Sequence, residues 1–187
     1  MSPQDIFDRL TKELGEDVVF DLHADPKKDK DPWFQVAPAA IARVGTRLKD
    51  DPELACNYLE CVTGTDYPTD KKIHVTYHVY SLSKKHRVVI KCFCDRESPS
   101  LPTVSTIWST ANWQERECFD LLGVTFEGHP DLRRILLPED WEGYPLRKDY
   151  KEKDSYHGIP TTRPNPVELF AIKLPEKPGA GSAEKPS

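Results

Sequence analysis

Residues 112–150 read NWQERECFDLLGVTFEGHPDLRRILLPEDWEGYPLRKDY, a helix followed by a compact, turn-rich run. Asn112 with Glu115 three positions on is the capping-box pattern that opens a helix. The spacing predicts about three turns closing at Gly123, a residue suited to the left-handed backbone that ends a helix. On a helical wheel Cys118, Phe119, Leu121 and Leu122 form an apolar stripe, with Trp113, Arg116, Glu117 and Asp120 opposite. Arg116 and Asp120, four apart, are placed to pair, for about a few tenths of a kcal/mol on an exposed face. Beyond the helix come Gly128-His129-Pro130, Arg133-Arg134, Trp141, Gly143, Pro145 and Arg147-Lys148-Asp149-Tyr150.

Working back from this run, the chain reads as alternating short strands and helices. Ile6, Phe7, Leu10 and Leu14 share one face of a first helix. Residues 17–22 alternate, with Val18, Phe20 and Leu22 on one side, and residues 33–36 make a second strand. Pro38 suits the first turn of a helix carrying Ile41, Val44 and Leu48 inward, stopped by Asp50-Asp51-Pro52. Strands follow at residues 57–63, 73–82 and 87–94, the last two an antiparallel hairpin with Val88, Ile90, Cys92 and Cys94 facing the core. A short helical piece is expected at residues 103–108. The pattern is α+β: a mixed, largely antiparallel sheet with helices packed on it, followed by an extended C-terminal arm. Residues 1–150 form the domain. In residues 151–187 prolines at 160, 164, 166, 175, 178 and 186 exclude regular helix or central strand. The end, PEKPGAGSAEKPS, has a disordered composition, and VELFAIKL at 167–174 is the one stretch able to anchor itself.

The 187 residues suit one domain plus extensions, and the net charge of −5 argues against nucleic acid as main partner. No apolar run approaches the ~20 residues that span a bilayer, so membrane association is expected only through other proteins. The start, MSPQDIFDRLTKEL, lacks the layout of a secretory signal, and five cysteines are expected to be reduced thiols.

The 112–150 run resembles the signature of the 30-kDa-type subunit family of respiratory complex I. That pattern reads approximately NW-x-ERE-x-x-D-x-x-G-x-x-F-x-GHPDLRRIL-x-x-x-W-x-G-x-PLRKDY, and its fixed residues are met in order from Asn112 to Tyr150, with four residues rather than three between Leu136 and Trp141. TGTDYP at residues 63–68 and the order of elements extend the likeness more loosely. The resemblance implies a non-redox subunit of the hydrophilic arm of a proton-pumping NADH:quinone oxidoreductase. The assembly uses NAD, FMN, iron–sulfur clusters and quinone, and none of these is expected on this chain. Implied partners are the quinone-site subunit (the 49-kDa type) and adjacent cluster-bearing subunits. The implied location is the cytoplasmic face of a bacterial inner membrane, or the matrix side in mitochondria. Related hydrogenases or other-donor dehydrogenases, and a free-standing binding module, are the alternatives.

The candidate site residues are Trp113, Glu115, Arg116, Glu117, Asp120, His129, Arg133, Arg134, Trp141, Arg147, Lys148, Asp149 and Tyr150, as interface and signature positions. Two readings of the charged helix face stay open. It is either a solvated surface or a partner interface in which Trp113 beside Arg116 acts as an anchor. Catalysis by its carboxylates requires a pocket and shifted pKa values, neither readable from sequence. The arginines suit bidentate pairing with carboxylates inside the segment or on a partner. His129, between Gly128 and Pro130, reads as a turn-holding hydrogen bonder. Cys92-x-Cys94 and Cys56-x4-Cys61 are not ferredoxin spacings. In a strand, His74 and His78 lie about 13 Å apart, too far to share one ion.

Overall fold

The hairpin anticipated around residues 73–94 forms the centre of a five-stranded sheet. In the computed structural model, which describes residues 1–25 and 31–161, strands β4 (Lys72–Ser81) and β5 (His86–Asp95) pair in unbroken antiparallel register. On one face Ile73, Val75, Tyr77 and Val79 meet Val88, Ile90, Cys92 and Cys94, all buried. That face alternates with a polar one, and the alternation pins the register, because a slip of one residue would turn the apolar set to solvent. Strand β3 (Tyr58–Tyr67) adds antiparallel to β4, and runs on past the expected end to include the TGTDY stretch. Strand β2 (Trp33–Val36) adds parallel to β5, and β1 (Val19–His23) antiparallel to β2, giving the order β1-β2-β5-β4-β3. A mixed, largely antiparallel sheet is therefore the observed fold.

Three helices close the core over the same face: α1 (Pro3–Leu14), α2 (Ile41–Asp50) and α3 (Ala111–Leu122). Helix α1 starts on a full capping box, in which Ser2 Oγ accepts from Asp5 N–H and Asp5 Oδ2 accepts from Ser2 N–H. Ile6 and Leu10 carry its buried face, and Phe7 meets Phe34 edge-on. Helix α2 follows a single 3-10 turn at Pro38–Ala40, and Ile41, Val44 and Leu48 point inward as expected. At its end the buried Asp51 takes Arg9 of α1 at 2.8 Å and Arg47 of α2 at 3.2 Å, tying the two helices together.

Two expectations change. In β1 the alternation breaks at Asp21 (φ +55) and the register shifts between Phe20 and His23, so Val18 and Val19 are both buried while Phe20 and Leu22 are half-buried. Residues 103–108 form a turn after a short strand, β6 (Ser100–Pro102), rather than a helix. The Val104 N–H is claimed by a side chain of α3, and Ile107 and Trp108 both fold back on the Val104 carbonyl. Strand β6 pairs parallel with β7 (Thr125–Glu127), which follows α3 directly.

Helix α3 lies against the outer strand β3. The Gln114 side chain serves that edge, its Oε1 accepting from Val62 N–H at 2.6 Å and its Nε2 donating to the Glu60 carbonyl at 3.5 Å. An exposed edge is thereby partly filled by an amide that imitates backbone. Gly64 sets the closeness of approach, since a Cβ there would collide with Leu122 Cδ1. Gly64→Ala is expected to lower stability by about 1–3 kcal/mol through overpacking. Urea unfolding measures this, and an unchanged midpoint would show that the helix yields freely.

The chain divides into Met1–Tyr150 and Lys151–Ser187. In the second unit, β8 (Ser155–Tyr156) and β9 (Ile159–Pro160) form a small hairpin turning through His157 (φ +50) and Gly158 (φ +78). Successive positive φ values suit the right-handed twist of a hairpin. The anchoring segment expected at 167–174 and the expected disordered end lie outside the described residues.

Candidate functional site

The polar residues of α3 do not form a solvated face. Asp120 and Glu115 are fully buried and Arg116 is 6% exposed, because residues 128–147 fold back over the side expected to meet water. Asp120 organises this return. Its Oδ2 accepts the N–H groups of Ile135, Leu136 and Leu137 at 3.0, 2.7 and 3.0 Å, and its Oδ1 accepts from Arg134 Nη1 at 3.0 Å. Burial raises its carboxyl, but the three N–H groups and Arg134 outweigh this and hold it below the usual aspartate range. The pairing expected between Arg116 and Asp120 is absent. Arg116 instead donates to the Arg133 carbonyl at 3.2 Å and lies near Asp131.

The end of α3 is closed by the same segment. A helix leaves its last carbonyls without partners. Here Arg134 donates to the Asp120 carbonyl, the Leu146 N–H to Leu121 and Arg147 Nε to Leu122, at 3.1, 3.1 and 2.8 Å. Gly123 turns left-handed (φ +77) and packs flush on Tyr144, where a Cβ would sit 2.6 Å from the ring. Arg134 and Arg147 both lie over that ring, at 5.5 and 4.9 Å from its centroid. Arg134 also donates to the carbonyls of Trp141 and Gly143, and Trp141 Nε1 donates to Tyr150 Oη at 3.1 Å.

The opening of α3 departs from the capping box. The helix begins at Ala111, and the Ala111 and Asn112 N–H groups already reach the carbonyls of Trp108 and Ser109. Glu115 is thus free for another task, and accepts the Thr103 hydroxyl and, at 2.7 Å, the Val104 N–H. His129 lies beside it, Nε2 being 3.9 Å from Glu115 Oε2. The Asp131 N–H can only donate, so His129 Nδ1 accepts it; the ring proton is therefore on Nε2, facing the Asn112 carbonyl at 3.1 Å. His129 holds its turn, as expected.

Burial pushes the Glu115 carboxyl up to about 7, against the pull of Thr103 and Val104. An acid raised in the folded state binds more protons folded than unfolded, so stability falls as pH rises from the unfolded value toward about 7. The loss is on the order of 2–3 kcal/mol between mildly acidic and mildly basic solution. Glu115→Gln keeps an acceptor for Val104 and cannot ionise, and is expected to flatten this pH dependence in urea unfolding. An equally steep profile in the variant would assign the dependence to another group.

Another buried carboxylate, Asp66, unforeseen in sequence, connects the 63–68 stretch to the end of the run. Asp66 takes Arg96 in a fork at 2.6 and 2.9 Å and the Lys148 N–H at 2.8 Å, while Arg96 reaches Asp149 at 2.6 Å. Arg96, first of all, holds Asp66 below its ordinary range. Asp66 lies in the TGTDYP stretch, which hinted at it; nothing in the sequence singled out Arg96, Thr103 or Gln114.

Several of the thirteen positions face outward. Trp113 is 63% exposed with the Arg116 guanidinium 4.7 Å over its ring, and Leu136 and Leu146 are 62% and 54% exposed. Glu117, Lys148 and Asp149 are exposed, and Arg133, also exposed, pairs with Asp131. Trp113, Arg116 and Asp120 follow helical spacing along one side of α3, and Leu136 is bound through its N–H to Asp120. The run therefore builds a braced surface with apolar projections. A cleft of about 320 Å³, lined by Met1, Pro3, Asp31, His86 and Arg87 among others, includes none of the thirteen. Among the described residues, no group of three or more His, Cys, Asp or Glu is placed to hold a metal ion. Burial pushes the Cys94 thiol up to about 12 and raises Cys92 well above the usual thiol range, the opposite of what a cluster ligand needs.

A family described as respiratory-chain NADH dehydrogenase, 30 Kd subunit, matches residues 34–156. The NADH-quinone oxidoreductase C-type subunit of Chlorobium phaeobacteroides is 47% identical over 132 residues, 70% of this chain and 75% of that protein. Its counterpart in Chloroherpeton thalassium is 43% identical over 84% of this chain and 65% of its own length. Among solved structures, the trypsin-resistant fragment of Nqo5 superposes with a TM-score of 0.53 at 29% identity, over 59% of this chain and 89% of that one. A chain of membrane-bound sulfane sulfur reductase, an archaeal respiratory membrane complex, superposes at 0.63 over 95% of this chain and 96% of that one; at 19% identity the likeness is one of fold.

Proposed function

This chain belongs to the respiratory-chain NADH dehydrogenase 30-kDa subunit family, and we propose that it works there as a scaffold with no redox chemistry of its own. One observation carries the reading. Glu115, Arg116, Asp120, Arg134 and Arg147 of the 112–150 run are spent on hydrogen bonds within the chain, while Trp113, Leu136 and Leu146 are left exposed. A surface that is internally rigid and outwardly apolar suits subunit placement. Electron hops and quinone access depend on that placement, so a subunit without cofactors serves the chemistry by fixing distances.

In this reading the partners are the quinone-site subunit of the 49-kDa type and neighbouring cluster-bearing subunits. The NAD, FMN, iron–sulfur clusters and quinone belong to those neighbours, and the assembly carries electrons from NADH to quinone. The chain sits on the cytoplasmic or matrix side of its membrane and is held there by partners. No helix among the described residues is long and apolar enough to cross a membrane.

The test is capture of the tagged full chain from gently solubilised membranes, run on a native gel stained for NADH oxidation. A large NADH-oxidising band with flavin and iron–sulfur subunits is expected. A large band without that activity would move the chain to an assembly fed by another donor, and a small soluble species would end the scaffold reading.

A further inference from the structure

Of the 12 residues of α3, only Trp113 and Glu117 are exposed. They stand four apart, one above the other on the outer side of the helix. Helical side chains lean toward the N-terminus, which carries the Glu117 carboxylate back toward the Trp113 ring. One face of that ring is taken by Arg116, whose guanidinium lies 4.7 Å from the centroid. With that face taken and Trp113 still 63% exposed, the opposite face is the open one.

The charges around this pair are matched within the chain, with one exception. Arg116 donates to the Arg133 carbonyl and lies near Asp131, which also takes Arg133. On the β3 side Glu60 is held by Arg87 at 3.1 Å. Glu117, standing between these two groups, makes no hydrogen bond or ion pair with any described residue. Its charge is felt on the β3 side at Cys61, where burial first, then Glu117 and Glu60, push the thiol up.

The scaffold reading gives Trp113 to a partner. A contact that covers Trp113 also covers Glu117 one turn away, and a carboxylate taken from water without a counter-charge is strongly disfavoured. No cation among the described residues is in place to supply one, so it has to come from the partner. A guanidinium meets both side chains at once, because it stacks on an indole face and pairs in a fork with a carboxylate. The chain uses the same arrangement internally, where Arg134 lies over Tyr144 at 5.5 Å and takes Asp120 at 3.0 Å. An acidic segment or a phosphate would meet Glu117 as like charge.

We propose that Trp113 and Glu117 together receive an arginine of a partner polypeptide, its guanidinium stacked on the open indole face and paired with the carboxylate. The proposal rests on the scaffold reading for the existence of a partner, and adds the chemistry of the residue that meets it.

The experiment uses the native assembly captured through the full chain. Carbodiimide-driven coupling of glycine ethyl ester to Glu117 is expected to be at least about tenfold slower in the assembly than in the isolated chain, as for a water-excluding contact. Phenylglyoxal, which modifies arginine, is expected to spare one arginine of a different protein in that assembly and to reach it in the Glu117→Gln assembly. Glu117→Gln is expected to weaken retention of that protein about tenfold, and Glu117→Arg further, since like charges then face each other. Both substitutions sit at an exposed position, so the isolated variants should unfold in urea with the wild type, which separates lost contact from lost fold. Glu117 coupled equally fast in both states, Glu117→Arg retained as well as the wild type, or carbodiimide joining Glu117 to a partner lysine would each overturn the proposal. A chain that enters no assembly contradicts the scaffold reading, whereas one that enters with Glu117 open contradicts the arginine contact alone.

Discussion

Asp120→Ala is expected to release residues 131–147 from α3 and to cost about 3–5 kcal/mol of stability. The side chain is fully buried and has no water to replace what it holds. Removing it leaves three N–H groups, of Ile135, Leu136 and Leu137, without their acceptor, and Arg134 without its counter-charge. Leaving buried donors unmatched costs far more than an average hydrogen bond contributes. The loss appears in urea unfolding, and faster hydrogen exchange at the amides of residues 135–137 localises it. Because the Asp120 pKa is lowered in the folded state, its contribution is fully present above the unfolded value of about 4 and is lost as pH falls through the folded one. Acid should therefore loosen this segment in the wild type as the substitution does at neutral pH. Exchange unchanged at 135–137 would mean that something other than Asp120 holds the return.

Asp66→Ala is the second large effect, with an expected loss of about 3 kcal/mol. Asp66 joins three distant parts of the chain: β3, the end of β5 through Arg96, and the Lys148 N–H. Arg96 retains Asp149 in the variant, so the arginine is not stranded, and the loss should fall short of the Asp120 case. The expected signature is loosening at residues 147–150 with the central β4–β5 pair still protected from exchange. Uniform loss of protection across the sheet would instead make Asp66 a general fold determinant. The acid dependence has the same sign as for Asp120, since Arg96 lowers the Asp66 pKa.

The sheet was legible in sequence where one face is apolar and the other is not. The alternation over Val88, Ile90, Cys92 and Cys94 could be satisfied only by a strand with that side inward. Helix α2 was legible from Pro38 and the spacing of Ile41, Val44 and Leu48. The charged side of α3 was not, because a helical wheel sends Arg116 and Asp120 to solvent unless something covers them. What covers them is an aperiodic segment held by backbone donors, and N–H groups leave no trace in side-chain pattern. The Glu115 misreading has a similar origin. A glutamate three residues after an asparagine resembles a cap, but the preceding turn already serves those N–H groups. The bulge at Asp21 and the turn at 103–108 depended on contacts with distant elements, beyond the reach of any local rule.

The central claim, that this chain contributes placement rather than chemistry, is tested most directly at Trp113. It is exposed and, unlike Asp120 or Arg134, is not the anchor on which the rest of the run folds. Trp113→Ala, combined with Leu136→Ala, should leave the isolated chain folded while removing two apolar projections. The measurement is the abundance of the assembled complex, set beside its NADH:quinone turnover per assembled complex. Abundance reduced with turnover per complex unchanged is the predicted result, and normal abundance with turnover lost would contradict it.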